Sequence, residues 1–576
     1  MRSICIDVGS TFVKYFVFDA AKNDAILVEK IPFPNPALKS KILYEVAADD
    51  IKSTILQIMD LALEYGCTKC FLSVQMHGYL TRNSKGVFSN YISWKDIRGD
   101  ISSSYFETID FNKNGTALKN NLPFVKLHNK GITQKTEFFT LGSYVAYLLT
   151  GVNATHKSDG CASGFFDAET LEPILLKNIA LPIVHKDLRV LGKYKNISVY
   201  TPFGDHQTSF LGSSATKDGY LLNIGTATQL STLGKRGVNL PNVEERPYFN
   251  DDRLLTVTNL TRGEVLFDGY DIRDFSDEIL IAMKKLPPKS KMFVGGGGAE
   301  IAYDYLKYYF ADYGIECIKC DDNIGMEGLK MIAQENGVKL GTMLSEVAFP
   351  NFPIILKNSN LDFFIVDNEH GSFDYSFISA IVMNANLCGL KSIIRISDNS
   401  RKDIIKFADM GAGGFLLPMT NTAEDIKQVV KYGKYAPIGS RGISTNRAHT
   451  LYNPPPIDQY MEMANKKVKV YAQIETALGV QNIEEILSVE GVDGVFIGPN
   501  DLSCDMGCIG NFEPIKEAIT KVASAAQKCG KTYGIITAEK PLIEHALSNN
   551  VDYISYGSEI NMLKSGCKNI IKQING

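Results

Sequence analysis

The sequence predicts an α/β protein of two dissimilar halves, a pair of lobes facing one cleft followed by a (β/α)8 barrel. Two observations carry this. A glycine–hydroxyl turn after an apolar strand occurs near residue 9 and again near residue 225, and eight short apolar strands alternate with helical patterns after residue 338. At 576 residues the chain exceeds one ordinary core. Its 45% hydrophobic and 22% charged residues exclude a disordered chain. The net charge of -4 gives no electrostatic ground for nucleic acid or an anionic membrane as partner. No apolar run approaches the ~20 residues of a membrane helix. The start, Met1 to Gly9, reads as a strand entering a turn rather than a signal peptide, so the expected location is the cytoplasm. The 11 scattered cysteines suit a reducing compartment. Cys67/Cys70 and Cys317/Cys320 have metal-like spacing, but each pair opens an apolar strand and reads as core.

The first turn, Ser3-Ile4-Cys5-Ile6-Asp7-Val8-Gly9-Ser10-Thr11, is echoed by Gly219-Tyr220-Leu221-Leu222-Asn223-Ile224-Gly225-Thr226. Glycine lets the backbone approach an anion, and N–H groups and hydroxyls then cradle phosphate oxygens. Two copies of the same polarity predict two lobes sharing one nucleotide. Asp7 precedes the first glycine, where a carboxylate can hold magnesium bound to the phosphates. A third cluster, Gly295-Gly296-Gly297-Gly298, follows an apolar strand and opens a helix, a place where a flat ring can lie against the main chain. A hydroxyl acceptor needs a base, and Asp205 in Phe203-Gly204-Asp205-His206-Gln207 is the candidate; capping of the following helix is the competing reading.

These residues, with Gln75-Met76-His77-Gly78 and Trp94-Lys95-Asp96-Ile97-Arg98, resemble the FGGY carbohydrate kinases from residue 1 to about 337. The segment Val243-Glu244-Glu245-Arg246-Pro247-Tyr248-Phe249 is most similar to the sedoheptulokinases. The resemblance implies an actin-like ATPase fold of two RNase H-like lobes, 1–199 and 200–337. It implies ATP with Mg2+ on Asp7, Gly9, Ser10, Thr11, Gly225, Thr226, Gly296 and Gly297. Sugar contacts would come from Gln75, Met76, His77, Asp96 and the base Asp205. Gly325-Met326-Glu327-Gly328 is similar to the family's closing nucleotide-side helix. This half is shorter than a usual member and lacks the family's Trp around Pro123-Phe124-Val125-Lys126.

After 338 the expected strands are Lys339–Leu344, Phe363–Asp367, Ser392–Ile396, Gly414–Pro418, Val470–Glu475, Gly494–Pro499, Tyr533–Thr537 and Tyr553–Tyr556, with helices such as Ala423–Lys431 and Pro514–Lys528 between them. Polar residues stand at strand ends, the face where such barrels build chemistry: Asp367, Glu369, His370, Arg395, Glu475 and Asp501. Glu475 and Asp501 end neighbouring strands and suit magnesium, manganese or a similar divalent ion. No lysine joins them, which argues against a Schiff base. Arg395 offers a fixed positive charge for a carboxylate or enolate oxygen. His370 is the proton carrier, oriented by Asp409 or by Asp367.

Asp367-Asn368-Glu369-His370-Gly371, Asp409-Met410-Gly411, Gly439-Ser440-Arg441-Gly442, Gln473-Ile474-Glu475-Thr476 and Gly498-Pro499-Asn500-Asp501 resemble the HpcH/HpaI class II aldolases over 338–576. The resemblance implies reversible cleavage of a 2-oxo acid to pyruvate and an aldehyde. It also implies metal on Glu475 and Asp501, substrate contacts from Gln473, Pro499 and Asn500, and a homo-oligomer formed through the barrel. The joint between the halves, Gln334 to Gly341, is short enough to limit relative motion. The fusion itself suggests that both activities serve one pathway. A non-catalytic sugar- or nucleotide-binding first half that regulates an aldolase is the second reading.

Overall fold

The duplicated turn sits at the same place in two sheets. In the computed structural model, which describes residues 2–575 except 21, 23, 109–121, 216–217, 226, 236–239, 241, 250–251, 262–264, 267–268 and 322, the chain divides into two units, Met1–Asn336 and Gly337–Gly576. In the first unit, Arg2–Val8 pairs antiparallel with Phe12–Asp19, which pairs antiparallel with Asp24–Pro32; Arg2–Val8 also runs parallel to Cys67–Val74. The second sheet repeats the plan. Gly219–Asn223 pairs antiparallel with Thr228–Gly234, that strand antiparallel with Arg253–Leu260, and Gly219–Asn223 runs parallel to Lys291–Gly295. Register carries the echo to single residues, with Asp7 opposite Lys14 and Asn223 opposite Gln229. Ile197–Tyr200 and Phe203–Gly204 both still pair with Cys67–Val74, so the change of sheet lies between Gly204 and Gly219, later than the boundary expected at residue 200.

Strands covered on both faces need continuous apolar runs, as in Ile4, Cys5 and Ile6. Helix Ala48–Glu64 lays Ile51, Ile55, Ile58, Met59 and Ala62 on that sheet at helical spacing. Cys67 and Cys70 lie in the same core and Cys317 in that of the second sheet. Helix Asp205–Gly212 crosses helix Ile324–Glu335 with backbones touching. A Cβ on Gly328 would stand 1.9 Å from Thr208 O, and one on Gly212 1.9 Å from Ile324 O. Only glycine permits that approach, which accounts for the Gly325 to Gly328 motif.

The second unit is a closed barrel of eight parallel strands: Lys339–Leu344, Phe363–Asp367, Lys391–Arg395, Gly414–Leu417, Lys469–Ile474, Gly494–Ile497, Thr532–Ile536 and Tyr553–Ser558. Phe363, Ile365, Ile393, Leu416, Tyr471 and Phe496 fill its interior, while Phe364, Val366, Ile394 and Phe415 face the helix layer. A half-buried lysine, Lys391, starts its strand at the mouth opposite the strands' C-terminal ends. Its Nζ donates to Tyr471 at 2.8 Å and lies 3.4 Å from the Tyr553 hydroxyl; burial lowers its pKa to about 8. The first rim loop is tied to the last helix by Glu559, whose carboxylate accepts from the backbone N–H groups of Ser345, Glu346 and Val347. Among the described residues no helix is long and apolar enough to cross a membrane.

Candidate active sites

At the barrel rim Arg395, the last residue of its strand, is clamped by Asp367, the last residue of the strand beside it. Nε donates to Asp367 Oδ1 at 3.0 Å and Nη2 to Oδ2 at 2.7 Å. Nη1 lies 3.3 Å from Glu369 Oε2. Burial opposes ionisation of Asp367, but the guanidinium outweighs it and holds the carboxyl below its usual range. Asp367 Oδ1 also accepts the N–H groups of Glu369 and His370 and so sets the rim turn. Glu475 follows its strand with Oε2 accepting from Met419 N at 2.9 Å, and Gln473 Nε2 donates to its Oε1. Gly498 makes room for it, since a Cβ there would lie 2.6 Å from Glu475 Oε1. Burial, with the charges of Asp501 and Glu369, raises the Glu475 pKa to about 6. Burial, then Asp367 and Asp501, also raises Glu369. Glu369, Glu475 and Asp501 thus share one field, with Arg395 against them.

His370 projects into solvent, its side chain 75% exposed, with Nε2 3.8 Å from Glu369 Oε2. The carboxylate beside its ring is therefore Glu369. Asp367 meets only its backbone. Asp409 was expected to orient His370 and does not do so within this chain. It lies in the last turn of helix Arg401–Met410, at the opposite end of the barrel, where Arg441 Nη2 donates to it at 2.7 Å. Pro499 is buried at the start of helix Pro499–Asp505, while Asn500 and Asp501 in its first turn are exposed.

The first unit encloses a cavity of about 350 Å³ lined by residues of both sheets, among them Ser10, Gln75, Met76, His77, Trp94, Asp205, Asn223, Gly225 and Arg246. Asp205 begins its helix half-buried at the cavity wall; burial, then the charge of Asp7 and to a lesser degree Asp159, raises its pKa to about 7. Asp7 is raised by burial too, and its Oδ1 accepts from Ser73 Oγ at 2.9 Å. His77 Nδ1 bonds Ala162 O at 2.8 Å, and burial lowers its pKa to about 4. That leaves Nε2 an acceptor, buried and without a partner among the described residues, as is Gln75 Oε1. Other expected contacts fall elsewhere. Asp96 is taken up by Arg98 Nε at 2.8 Å, Arg98 Nη2 at 2.6 Å and Tyr44 N at 2.9 Å, and it does not line the cavity. Gly9 N donates within its own turn to Phe12 O, and Thr11 is exposed. Gly296, with φ +88°, packs on the second turn, where a Cβ would stand 2.5 Å from Asn223 Oδ1, whereas Gly297 meets open space. Thr226 lies outside the described residues.

Residues 350–565 match the family model of the HpcH/HpaI aldolase/citrate lyases. The second unit carries an HpcH/HpaI aldolase domain. This domain is similar to a 5-keto-4-deoxy-D-glucarate aldolase of Klebsiella pneumoniae, 29% identical over 218 residues, 38% of this chain and 84% of that protein. The first unit has the fold of sugar kinases. The chain superposes on a ligand-bound xylulose kinase of Lactobacillus acidophilus with TM-score 0.51 and 15% identity, over 58% of this chain and 89% of that one. A gluconate kinase of the same organism gives TM-score 0.50 and 16% identity over the same shares.

The aldolase domain's donors fit a divalent cation. Among the described residues no cluster of three or more His, Cys, Asp or Glu side chains is arranged to hold a metal by itself. The fit rests on the pair Glu475 and Asp501, hard oxygen donors whose charges oppose each other, and on Gln473 Oε1, buried without a partner next to Glu475. In the kinase-like unit Asp205 lines the cavity and the charge of Asp7 acts on it, so two oxygen donors of a kind suited to magnesium share one field. The sequence reading missed Glu369 as the neighbour of His370, and it missed Arg246. Alternation along Glu244-Glu245-Arg246, which puts an acid and a base on one strand face, was the available signal for the latter.

Proposed function

We propose that the aldolase domain cleaves a 2-oxo acid reversibly to pyruvate and an aldehyde with a divalent cation, and that the first unit transfers phosphate from ATP to a sugar hydroxyl. The clamp of Asp367 on Arg395 beside Glu369, Glu475 and Asp501 carries the barrel assignment. Breaking the C–C bond leaves negative charge on a three-carbon unit. Arg395, unable to swing while Asp367 holds the Nε–Nη2 edge of its fork, presents its remaining N–H groups where that charge develops. A cation held by Glu475 and Asp501 would polarise the substrate carbonyl. His370 stands at the solvent edge with Glu369 beside its ring, where it can pass a proton to or from the leaving aldehyde oxygen. The Klebsiella relative, by name an aldolase of a keto-deoxy sugar acid, supports an acidic substrate. The test is pyruvate release from 2-oxo acids with chelator and then with added Mg2+ or Mn2+. Activity that persists in chelator and is trapped by borohydride would replace this mechanism with a lysine imine.

In the first unit Asp205, with a pKa near neutrality, can accept the hydroxyl proton as the phosphoryl group arrives, and Asp7 would hold magnesium. ATP turnover over a panel of ketoses and sugar acids tests this. Binding without turnover would favour the regulatory reading. The assembly is a homo-oligomer formed through the barrel, a reading supported by the last helix, Glu559–Asn575, which leaves Leu563, Ile570, Ile571 and Ile574 exposed. Light scattering that gives a monomer at micromolar concentration would remove it.

A further inference from the structure

Arg246 is buried and lines the cavity of the first unit, yet no part of the proposed phosphoryl transfer uses it. Glu244, two residues earlier on the same strand face, accepts from Nε at 2.7 Å and lies 2.6 Å from Nη2. Glu244 Oε1 is in turn held by Thr258 Oγ1 at 3.1 Å. Nη1 donates to His206 Nδ1 at 2.8 Å, so that nitrogen carries no proton and Nε2–H faces Ser231 Oγ at 2.9 Å. Burial and the adjacent guanidinium keep His206 neutral. A guanidinium has five N–H groups. Glu244 and His206 take one each, at Nε and Nη1, while Nη2, 2.6 Å from Glu244 as an ion pair, makes no hydrogen bond among the described residues. A buried donor fork held rigid on one side is arranged to bind a charged acceptor on the other. The same cavity offers Gln75 Oε1 and His77 Nε2 as acceptors without donors, so its polarity matches a ligand that carries both hydroxyl groups and an oxyanion.

We infer that Arg246 binds an oxyanion of the ligand in this cavity, either the carboxylate of a polyhydroxy acid or the phosphoryl group in transit. The inference rests on the kinase reading and names a specificity residue within it. Trp94, the chain's single tryptophan, lines the cavity and reports binding without turnover. Its fluorescence, checked by calorimetry, is titrated with three probes: D-glucitol, D-gluconate, and D-glucitol with a non-hydrolysable ATP analogue and Mg2+. Arg246→Gln should weaken the oxyanion arm roughly 10- to 100-fold and leave D-glucitol alone within about twofold. Loss confined to gluconate identifies the carboxylate, and loss confined to the ternary arm identifies the phosphoryl group. Because Arg246→Gln strands a buried Glu244, Arg246→Lys and the double variant Glu244→Gln/Arg246→Gln are measured beside it. If the folded variants bind all three probes as wild type does, or lose D-glucitol equally, the inference is overturned. If wild-type protein binds none of the probes, the kinase reading falls as well.

Discussion

Asp367→Asn keeps the shape of the Arg395 clamp and removes its charge, while turning an amide NH2 toward a guanidinium that can only donate. The two side chains are 3% and 9% exposed, so the pair is desolvated. Removing one partner of such a pair costs about 3–5 kcal/mol. Glu369 Oε2, 3.3 Å from Nη1, still offsets part of the stranded charge, which places the expected loss near ~3 kcal/mol. For a domain of this size that lowers Tm by about 6–12 °C. Trp94 lies in the other unit, so its fluorescence cannot report on barrel unfolding; calorimetry of the full chain can. With Arg395 no longer aimed, kcat for pyruvate release should fall roughly 100-fold or more. The double variant Asp367→Asn/Arg395→Met, which leaves no unpaired charge, should recover much of the Tm and none of the activity. A barrel transition within about 1 °C of wild type for Asp367→Asn, or a double variant less stable than the single, would refute the clamp.

Glu475 titrates near pH 6 in the fold against 4.5 for its ordinary value. Between those values the folded state holds more protons than the unfolded one, so cation-free stability falls as pH rises through that window. A cation favours the ionised form, so stabilisation by Mg2+ or Mn2+ should be larger at pH 7.5 than at pH 5; an equal Tm gain at both, or one retained in Glu475→Gln, contradicts the assignment. Asp205→Asn should lower ATP turnover about 10²- to 10⁴-fold. The wild-type rate should climb with pH across about 7, where this carboxyl loses its proton, and a flat profile between pH 5.5 and 8.5 would argue against the base role. Gly328→Ala drives a methyl into the Thr208 carbonyl, backbone that cannot step aside, and should destabilise the first unit by about 1–3 kcal/mol in denaturant titrations read by Trp94. Unchanged midpoints would mean the helices part more easily than their packing indicates.

The barrel was legible because parallel strands buried on both faces are uninterrupted apolar runs, so each end shows as the first polar residue; expected and observed limits differ by at most two residues. Arg395 and Glu475 were legible for the same reason. Asp409 was not. Expected to orient His370, it instead closes a helix whose left-handed Gly411, with φ +100°, turns the chain into the next strand at the far end. Asp96 was misplaced because its partner is two residues away: an Asx-type turn with Arg98 uses its oxygens locally, and only the fold shows that none remains for a ligand. Arg246 stands within the Val243 to Phe249 motif, but its place at the cavity is set by a direct contact with His206, forty residues earlier, which the local alternation alone does not reveal.

The two matching sheets of the first unit differ at one telling place. Where the first strand carries Asp7, its counterpart carries Asn223, and Asn223 also lines the cavity. A faithful copy would have set another carboxylate at the cavity that Asp205 lines, raising the proton affinity of the acids there. Divergence at that single position makes the duplication asymmetric. One copy carries an acid at this place, and the other an uncharged amide.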